Sequence, residues 1–341
     1  MKNHLFITTM MLCTMTGCSA EQAATENPVT AAVKADSVNV DIREWRVPYG
    51  KGRPRDPFVD AQGRVWFCGQ GGAYLAYLLP ESGEFKKFEL ADGASPHNLI
   101  IDDDDQVWFA ANTLPYIGRL NPETGQKEKF AMPEPVRDPH TLVFDSHGDI
   151  WFSAQQSNYV AKLNTNTGEV TPVSVPINRA RPYGIKVDAN DRPWIVLFGT
   201  NKLATVNLQS MQLETFDLPR TSARPRRLEV TADGMVWYVD YADGMLGRFS
   251  PADNAVTEWP LPGGAKSRPY GTALDDNEQI WIAEGGSPNR LVSFDTKAER
   301  FTSVTEIPNS GGAVRHMYFH PPSRELWFGE DTNYLGRAKI P

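Results

Sequence analysis

Three of the six histidines in the chain, His97, His140 and His316, recur at one position of an internal repeat. A neutral imidazole accepts a proton near neutral pH, so a histidine held at such a position is a candidate general base. Tyrosines and arginines occupy the same part of other repeats, and guanidinium groups suit carboxylate or phosphate ligands. The predicted substrate-binding residues are His97, His140, Arg181, Tyr183, Arg224, Arg268 and Arg315.

These side chains also have a structural interpretation. Polar groups at the start of each repeat can cap backbone atoms or hold water, and the arginines can pair with local carboxylates such as Asp138 and Asp240. The sequence alone leaves the ligand-binding and the structural interpretations open.

Acidic side chains form a second set, just after the tryptophan of the last three repeats. Carboxylate oxygens are the ligands that Mg²⁺ prefers, so a divalent cation is predicted beside His316, which would act as the base. The predicted metal ligands are Glu284, Glu330 and Asp331. A separate acidic run, Asp102 to Asp105, has two interpretations, a calcium loop or a solvated turn, and its position between two strands favours the turn.

An internal repeat must position all of these residues. Seven tryptophans recur at intervals of 42 to 46 residues: Trp66, Trp108, Trp151, Trp194, Trp237, Trp281 and Trp327. Each lies in one of four short apolar segments per repeat, bounded by Gly, Pro, Asn or Asp, and no segment has a sustained helical period. This period is typical of propeller blades. We therefore predict an all-β fold over residues 39–341, a seven-bladed β-propeller with four antiparallel strands per blade.

The two ends of the repeat array predict how the ring closes. The last repeat stops after its third strand, at residues 335–338, whereas the segment 41–45 has the pattern of a fourth strand. An N-terminal strand that pairs with the last blade would remove two open sheet edges. Deleting residues 40–48 is therefore expected to destabilise the ring.

The N-terminus precedes the repeats and has a different composition. A short apolar stretch after Lys2 predicts a signal peptide over residues 1–17, and residues 15–18 resemble the lipobox of bacterial lipoproteins, with Cys18 as the lipidation site. Residues 18–38 read as a flexible tether. We expect a lipid-anchored protein of the cell envelope, at the outer membrane and facing the periplasm.

The charge balance limits the classes of partner. The formal net charge is −8 at pH 7 and no basic block is present, which argues against a nucleic-acid partner and against a charged membrane-binding patch. The expected partner is a small molecule or peptide in the central channel. The only membrane contact that we expect is the lipid anchor, and we expect a monomer.

The repeats resemble a known family. The segments Pro182-Tyr183-Gly184-Ile185, Trp108-Phe109 and Ile117-Gly118-Arg119-Leu120 are similar to those of the streptogramin B lyases, also called virginiamycin B lyases. The likeness covers all seven repeats. It implies a propeller that opens a cyclic depsipeptide by elimination at an ester, with Mg²⁺ as cofactor.

The resemblance also assigns residues. His316 matches the histidine of the family's last blade, and Asp331 stands where the last-blade glutamate is expected. Tyr270 occupies the position of a second histidine, so the resemblance implies His316 and Tyr270 as catalytic residues. Val314 and Phe58 replace a glutamate and a tyrosine of the family pattern.

Three functions follow from these observations. The first is a metal-dependent lyase or hydrolase that acts on an ester or lactone at the channel mouth. The second is a non-catalytic propeller that binds an anionic small molecule or peptide. The third is a scaffold for a protein partner, since the fold by itself does not select among these.

Overall fold

The computed structural model describes Met1 and residues 40–50, 52–309 and 312–341. Its strands form seven four-stranded antiparallel sheets, which confirms the predicted β-propeller. Cys18, the signal peptide and the tether lie outside the described residues, apart from Met1. In the part of the chain that the structure describes, no helical segment has the length and apolar character needed to span a bilayer.

In blades 1 to 6 the four strands follow chain order from the ring axis outwards. The first described strand is β1 (Asp41–Arg46). Blade 1 contains β2 (Pro54–Val59), β3 (Val65–Gly69), β4 (Tyr74–Leu79) and β5 (Glu84–Glu89). Blade 2 contains β6 (Pro96–Ile101), β7 (Val107–Ala111), β8 (Tyr116–Leu120) and β9 (Lys127–Ala131). Blade 3 contains β10 (Pro139–Phe144), β11 (Ile150–Ala154), β12 (Tyr159–Leu163) and β13 (Val170–Ser174).

The remaining blades repeat this order. Blade 4 contains β14 (Pro182–Val187), β15 (Pro193–Leu197), β16 (Lys202–Asn207) and β17 (Gln212–Asp217). Blade 5 contains β18 (Pro225–Val230), β19 (Val236–Asp240), β20 (Met245–Phe249) and β21 (Val256–Pro260). Blade 6 contains β22 (Pro269–Leu274), β23 (Gln279–Glu284), β24 (Arg290–Asp295) and β25 (Arg300–Glu306). Blade 7 contains β26 (Val314–His320), β27 (Glu325–Glu330) and β28 (Tyr334–Lys339).

The N-terminal strand completes blade 7. β1 pairs with β28 in antiparallel register, from Asp41 opposite Lys339 to Arg46 opposite Tyr334. The sheet order is β26-β27-β28-β1, so the fourth strand of the last blade comes from the other end of the chain. The prediction that this segment closes the ring is confirmed.

The tryptophan strands show why neighbouring blades adhere. Successive side chains of a strand point to opposite faces. Trp66 packs in one cluster with Val107 and Phe109 of blade 2, whereas Val65 and Phe67 pack against blade 7. Each recurring apolar triplet therefore fills two interfaces at once, and the repeated tryptophans are core residues.

An aspartate six residues before the tryptophan anchors this arrangement in four blades. In blade 2, Asp102 accepts a hydrogen bond from the Trp108 indole nitrogen at 2.7 Å and from the backbone N–H groups of Asp104 and Gln106. The pairs Asp60–Trp66, Asp188–Trp194 and Asp275–Trp281 repeat the contact. The acidic run therefore begins with a turn residue that also holds the core.

We expect Asp102→Ala to destabilise the fold by roughly 2–3 kcal/mol, because it leaves the Trp108 indole and two turn N–H groups without their acceptor. The exposed neighbour provides a matched control, and Asp103→Ala is expected to change stability by less than about 0.5 kcal/mol. Denaturant unfolding of the three proteins measures the difference. Equal stability of the two variants would contradict this structural role.

The innermost strand of every blade carries an irregularity near its start. The pairing register shifts in all seven, for example between Pro139 and Leu142 in blade 3. A β-bulge re-aims side chains and disturbs the strict alternation of a strand. This is the element that positions the candidate site.

Candidate functional site

Seven side chains, one from each blade, meet around the axis just inside the start of the inner strands. We call this set the upper layer: Arg55, His97, His140, Tyr183, Arg226, Tyr270 and Arg315. Tyr183 and Tyr270, from blades 4 and 6, hydrogen-bond through their hydroxyl groups. A contact between non-adjacent blades requires both side chains to point towards the axis.

Arg226 lies within the aromatic part of this layer. Its guanidinium carbon is 3.6 Å from the centre of the Tyr270 ring and 4.3 Å from that of Tyr241. The rings of Phe198 and Tyr183 lie at 4.7 and 5.3 Å. Such cation–π contacts favour a positive charge at this point of the channel.

The next residue of each inner strand contributes to a second set below the first. We call it the middle layer: Asp56, Asn98, Thr141, Gly184, Arg227, Gly271 and His316. Arg227 reaches across the ring, 3.1 Å from the Thr141 hydroxyl and 3.6 Å from the Asp56 carboxylate. Asn98 donates to the same carboxylate at 2.8 Å. Most side chains of the two layers are buried, so the layers fill the centre of the ring at this level.

Positive charge dominates these two layers. They hold the guanidinium groups of Arg55, Arg226, Arg227 and Arg315 but the single carboxylate of Asp56. Burial raises the pKa of Asp56, but His316, Arg55 and Arg227 outweigh it and the pKa is lowered, so this group is ionised.

The positive charges of these layers also change the pKa of Tyr270. Burial would raise its pKa, but the four guanidinium groups lower it to about 7. The pKa of Tyr183, which is hydrogen-bonded to Tyr270, shifts in the opposite direction. Burial and the negative charge of Tyr270 raise it. Of the two hydroxyl groups, that of Tyr270 is therefore the one that loses its proton near neutral pH.

The structure does not place the three predicted histidines at one register. His97 and His140 lie in the upper layer and are buried, whereas His316 lies one strand position further along, in the middle layer, and is half-buried. The rings of His97 and His140 lie 3.6 Å apart, and burial lowers the pKa of both well below the ordinary value. Burial likewise lowers the pKa of His316 to about 3. All three imidazoles are thus neutral at physiological pH, and a group with so low a pKa is a weak general base.

Three of the predicted arginines do not reach the layers. Arg181 and Arg268 are exposed in the loops before β14 and β22, with φ of 52° and 46°. Arg224 bonds the carbonyls of Thr221 and Ala223 in its own loop. The structure does bring together His97, His140, Tyr183, Tyr270 and Arg315.

The arginines that complete the layers come from neighbouring positions. Arg55 and Arg226 each follow a proline, as His97 follows Pro96, so the repeat register could have identified both. Arg227 is one residue further along and carries no such signal. Its inward position depends on the bulge between Pro225 and Arg227.

Comparison with known proteins agrees with the fold and assigns a family. The model of the virginiamycin B lyase family matches residues 40–338. The chain belongs to this family. No curated protein matches the sequence.

Solved structures with the same architecture include two lyases with the family's name and one other enzyme. A virginiamycin B lyase from Staphylococcus aureus superposes with a TM-score of 0.80 at 19% identity, covering 89% of this chain and 100% of that one. A streptogramin B lyase superposes with a TM-score of 0.80 at 21% identity, covering 89% of this chain and 98% of that one. Hydrazine synthase of Kuenenia stuttgartiensis superposes with a TM-score of 0.72 at 12% identity, covering 86% of this chain and 97% of that one. Identities this low establish the fold alone.

The three predicted metal ligands of this virginiamycin B lyase family member are held apart by other partners. Arg290 binds Glu284 at 2.7 and 2.8 Å, and Arg315 binds Asp331 at 2.5 and 2.9 Å. Glu330 accepts from Thr332 at 3.0 Å. Among the described residues, no three His, Cys, Asp or Glu side chains converge to hold an ion. This donor set does not fit the Mg²⁺ that the resemblance implies.

Asp331 instead binds Arg315, a residue of the upper layer. It accepts two hydrogen bonds from Arg315 and one from Arg53 at 3.3 Å, and these partners lower its pKa although burial raises it. The guanidinium of Arg315 is thereby fixed 5.3 Å from the Tyr270 ring. His316 forms no hydrogen bond or ion pair with Asp331 within the described chain.

Glu330 gives a test of stability against pH. Burial and the adjacent Glu44 carboxyl on β1 raise the pKa of Glu330 to about 8. A carboxyl with a raised pKa costs stability as pH rises from its unfolded value of 4.5 towards 8. Glu330→Gln is therefore expected to stabilise the fold by roughly 2–3 kcal/mol at neutral pH and by little near pH ~4. Thermal melting across this range measures the gain.

The control for this variant is Glu169→Gln, which changes an exposed carboxyl in a turn and is expected to leave the melting temperature unchanged. A gain for Glu330→Gln that did not depend on pH would show that the neutral carboxyl is not the cause.

Proposed function

We propose that this propeller is a carbon–oxygen lyase that opens an ester or lactone by elimination at the upper layer of its channel. The observation that carries the proposal is the placement of four guanidinium groups around Tyr270, whose pKa they lower to about 7. A base with a pKa near the working pH is suited to proton abstraction. The family likeness supports the reaction class.

Tyr270 supplies the base in this proposal. Its phenolate takes the proton from the carbon α to the substrate carbonyl. The electron pair of that C–H bond forms the new Cα=Cβ bond, the Cβ–O bond breaks, and the ester oxygen leaves as a carboxylate. Tyr270 ends the step as a neutral phenol, and water is neither consumed nor released.

Arg226 and Arg315 supply the electrostatic part. Negative charge develops first on the carbonyl oxygen and then on the departing carboxylate, and fixed guanidinium groups stabilise both. Arg315 is oriented by its two bonds to Asp331, and Arg226 by the surrounding rings. No step requires a metal ion.

A second candidate is a non-catalytic propeller that binds an anionic small molecule or peptide. Its support is the burial of Tyr270, which is only 1% exposed beneath Arg226. In this case the layer holds a carboxylate through its arginines, and the phenolate only balances their charge.

The experiment is a screen of cyclic depsipeptides and acyloxy esters by mass spectrometry. Elimination of a cyclic ester yields an isomer of unchanged mass with a new alkene, whereas hydrolysis adds the mass of one water. Turnover is expected for the unaltered chain and for Tyr159→Phe, a tyrosine of β12 outside the layers. Tyr270→Phe is expected to bind ligand without turnover, and Arg226→Gln to lose binding.

The outcomes separate the candidates. Tight binding without product by the unaltered protein supports the binding propeller. Full turnover by Tyr270→Phe overturns the role of this tyrosine.

The proposed location is the cell envelope, with a lipid on Cys18. The support is the sequence of residues 15–18 and the apolar stretch before it. Cys18→Ala is expected to move the protein from the membrane fraction to the soluble fraction, and an unchanged distribution would contradict acylation.

A further inference from the structure

The channel has a second, chemically different space below the two layers. A third set of side chains, two residues beyond the middle layer on each inner strand, forms what we call the lower layer: Phe58, Ile100, Val143, Lys186, Glu229, Ala273 and Tyr318. These residues surround a cavity of about 340 Å³, within the usual range for a small-molecule site. His316, Asn98 and Thr141 of the middle layer line its inner end.

The wall of this cavity is mainly apolar. Phe58 and Tyr318 stack with ring centres 4.1 Å apart, and Ile100, Val143 and Ala273 continue the surface around the axis. Such a wall favours a flat ring that can pack on the aromatic pair.

The charges in the wall are already paired. Lys186 lies 2.9 Å from the Glu229 carboxylate, whose other oxygen accepts from the Thr272 hydroxyl at 2.7 Å. The side chain of Glu229 is only 4% exposed. A charged ligand would have no free counterpart here, in contrast with the arginine-rich upper layer.

One polar atom at the inner end lacks a partner. Within the described chain, no group hydrogen-bonds to Nδ1 of His316, although this atom is buried. Buried polar atoms are normally satisfied, so an unpaired one beside a cavity marks a place for a ligand group. The ring is neutral, and a hydroxyl can either donate to or accept from its Nδ1, whichever tautomer is present.

We propose that the lower layer forms a second binding site, for a neutral aromatic compound with one hydroxyl group. The ring would lie against Phe58 and Tyr318, and the hydroxyl would bond Nδ1 of His316. The site is independent of the proposed elimination, because the middle layer separates it from Tyr270.

Naphthol tests the proposal as a probe, with naphthalene and naphthoate as matched compounds that lack the hydroxyl or carry a charge. Calorimetric titration of the full chain is expected to show the tightest binding for naphthol. His316→Phe is expected to weaken naphthol about tenfold, the loss of one hydrogen bond, without changing naphthalene. Arg226→Gln in the upper layer is expected to leave naphthol binding unchanged.

A measurement on the unaltered protein tests the proposal even if the variants misfold. Intermolecular nuclear Overhauser contacts are expected between naphthol and the rings of Phe58 and Tyr318. The proposal is overturned if naphthol does not bind, if naphthoate binds better, or if these contacts are missing when naphthol is bound.

Discussion

Replacing Trp45 by alanine is expected to lower the free energy of unfolding by roughly 3–5 kcal/mol. Trp45 is the buried aromatic residue of β1, the strand that closes the ring. It stacks on Trp327 with ring centres 5.5 Å apart and belongs to the cluster that joins blade 7 to blade 1. Its loss would leave a void in this cluster, beside the strand pair that joins the two ends of the fold.

Denaturant unfolding measures this change, and Leu208→Ala provides the control. Leu208 is a large apolar residue that is 42% exposed, so its truncation is expected to cost less than about 0.5 kcal/mol. If Trp45→Ala and Leu208→Ala unfolded at the same denaturant concentration, β1 would not contribute to the closure of the ring.

Tyr270 is expected to ionise near neutral pH in the folded protein. Its folded pKa of about 7 lies below the ordinary value of 10, so ionisation favours the folded state. The contribution to stability is complete above pH 10 and is lost as the pH falls through about 7. A shift of this size corresponds to roughly 4 kcal/mol of stability between the two limits.

The near-ultraviolet absorbance of tyrosinate measures this directly. A step equivalent to one tyrosine is expected near pH 7, present in Tyr159→Phe and missing in Tyr270→Phe. Arg226→Gln is expected to move the step to higher pH, because it removes one of the four charges that lower the pKa. A step that persisted in Tyr270→Phe would assign the ionisation to another group.

The fold could be predicted from local pattern because each blade repeats it. The Val65-Trp66-Phe67 triplet needs only the two-residue period of a strand to place Trp66 on one face and its neighbours on the other. The closing role of β1 followed from counting strands at the two ends, and the Trp45 position agrees. These features depend on the geometry of short segments, so the spacing of residues in the sequence is enough to predict them.

The candidate site was only partly predictable. The register identified the upper layer at His97, His140, Tyr183, Tyr270 and Arg315, since equivalent residues of a closed ring must meet at its axis. It did not separate an arginine before a proline from one after it. Arg268 comes just before the proline of its repeat and lies in a loop. Arg226 comes just after the proline of its repeat, two positions further along the repeat, and lies over the Tyr270 ring.

The number of blades, the tryptophan core and the family pattern could be predicted from the sequence because they repeat at a nearly fixed interval along the chain, and the closing strand followed from the strand that the last repeat lacks. Which charged side chains meet at the axis, by contrast, depends on contacts between distant parts of the chain. Tyr183 meets Tyr270 across 87 residues, and Arg227 meets Thr141 across 86, through bulges whose direction no local pattern specifies. The low pKa of Tyr270 and the unpaired His316 nitrogen result from these long-range contacts, since electrostatic fields and burial depend on distance in space.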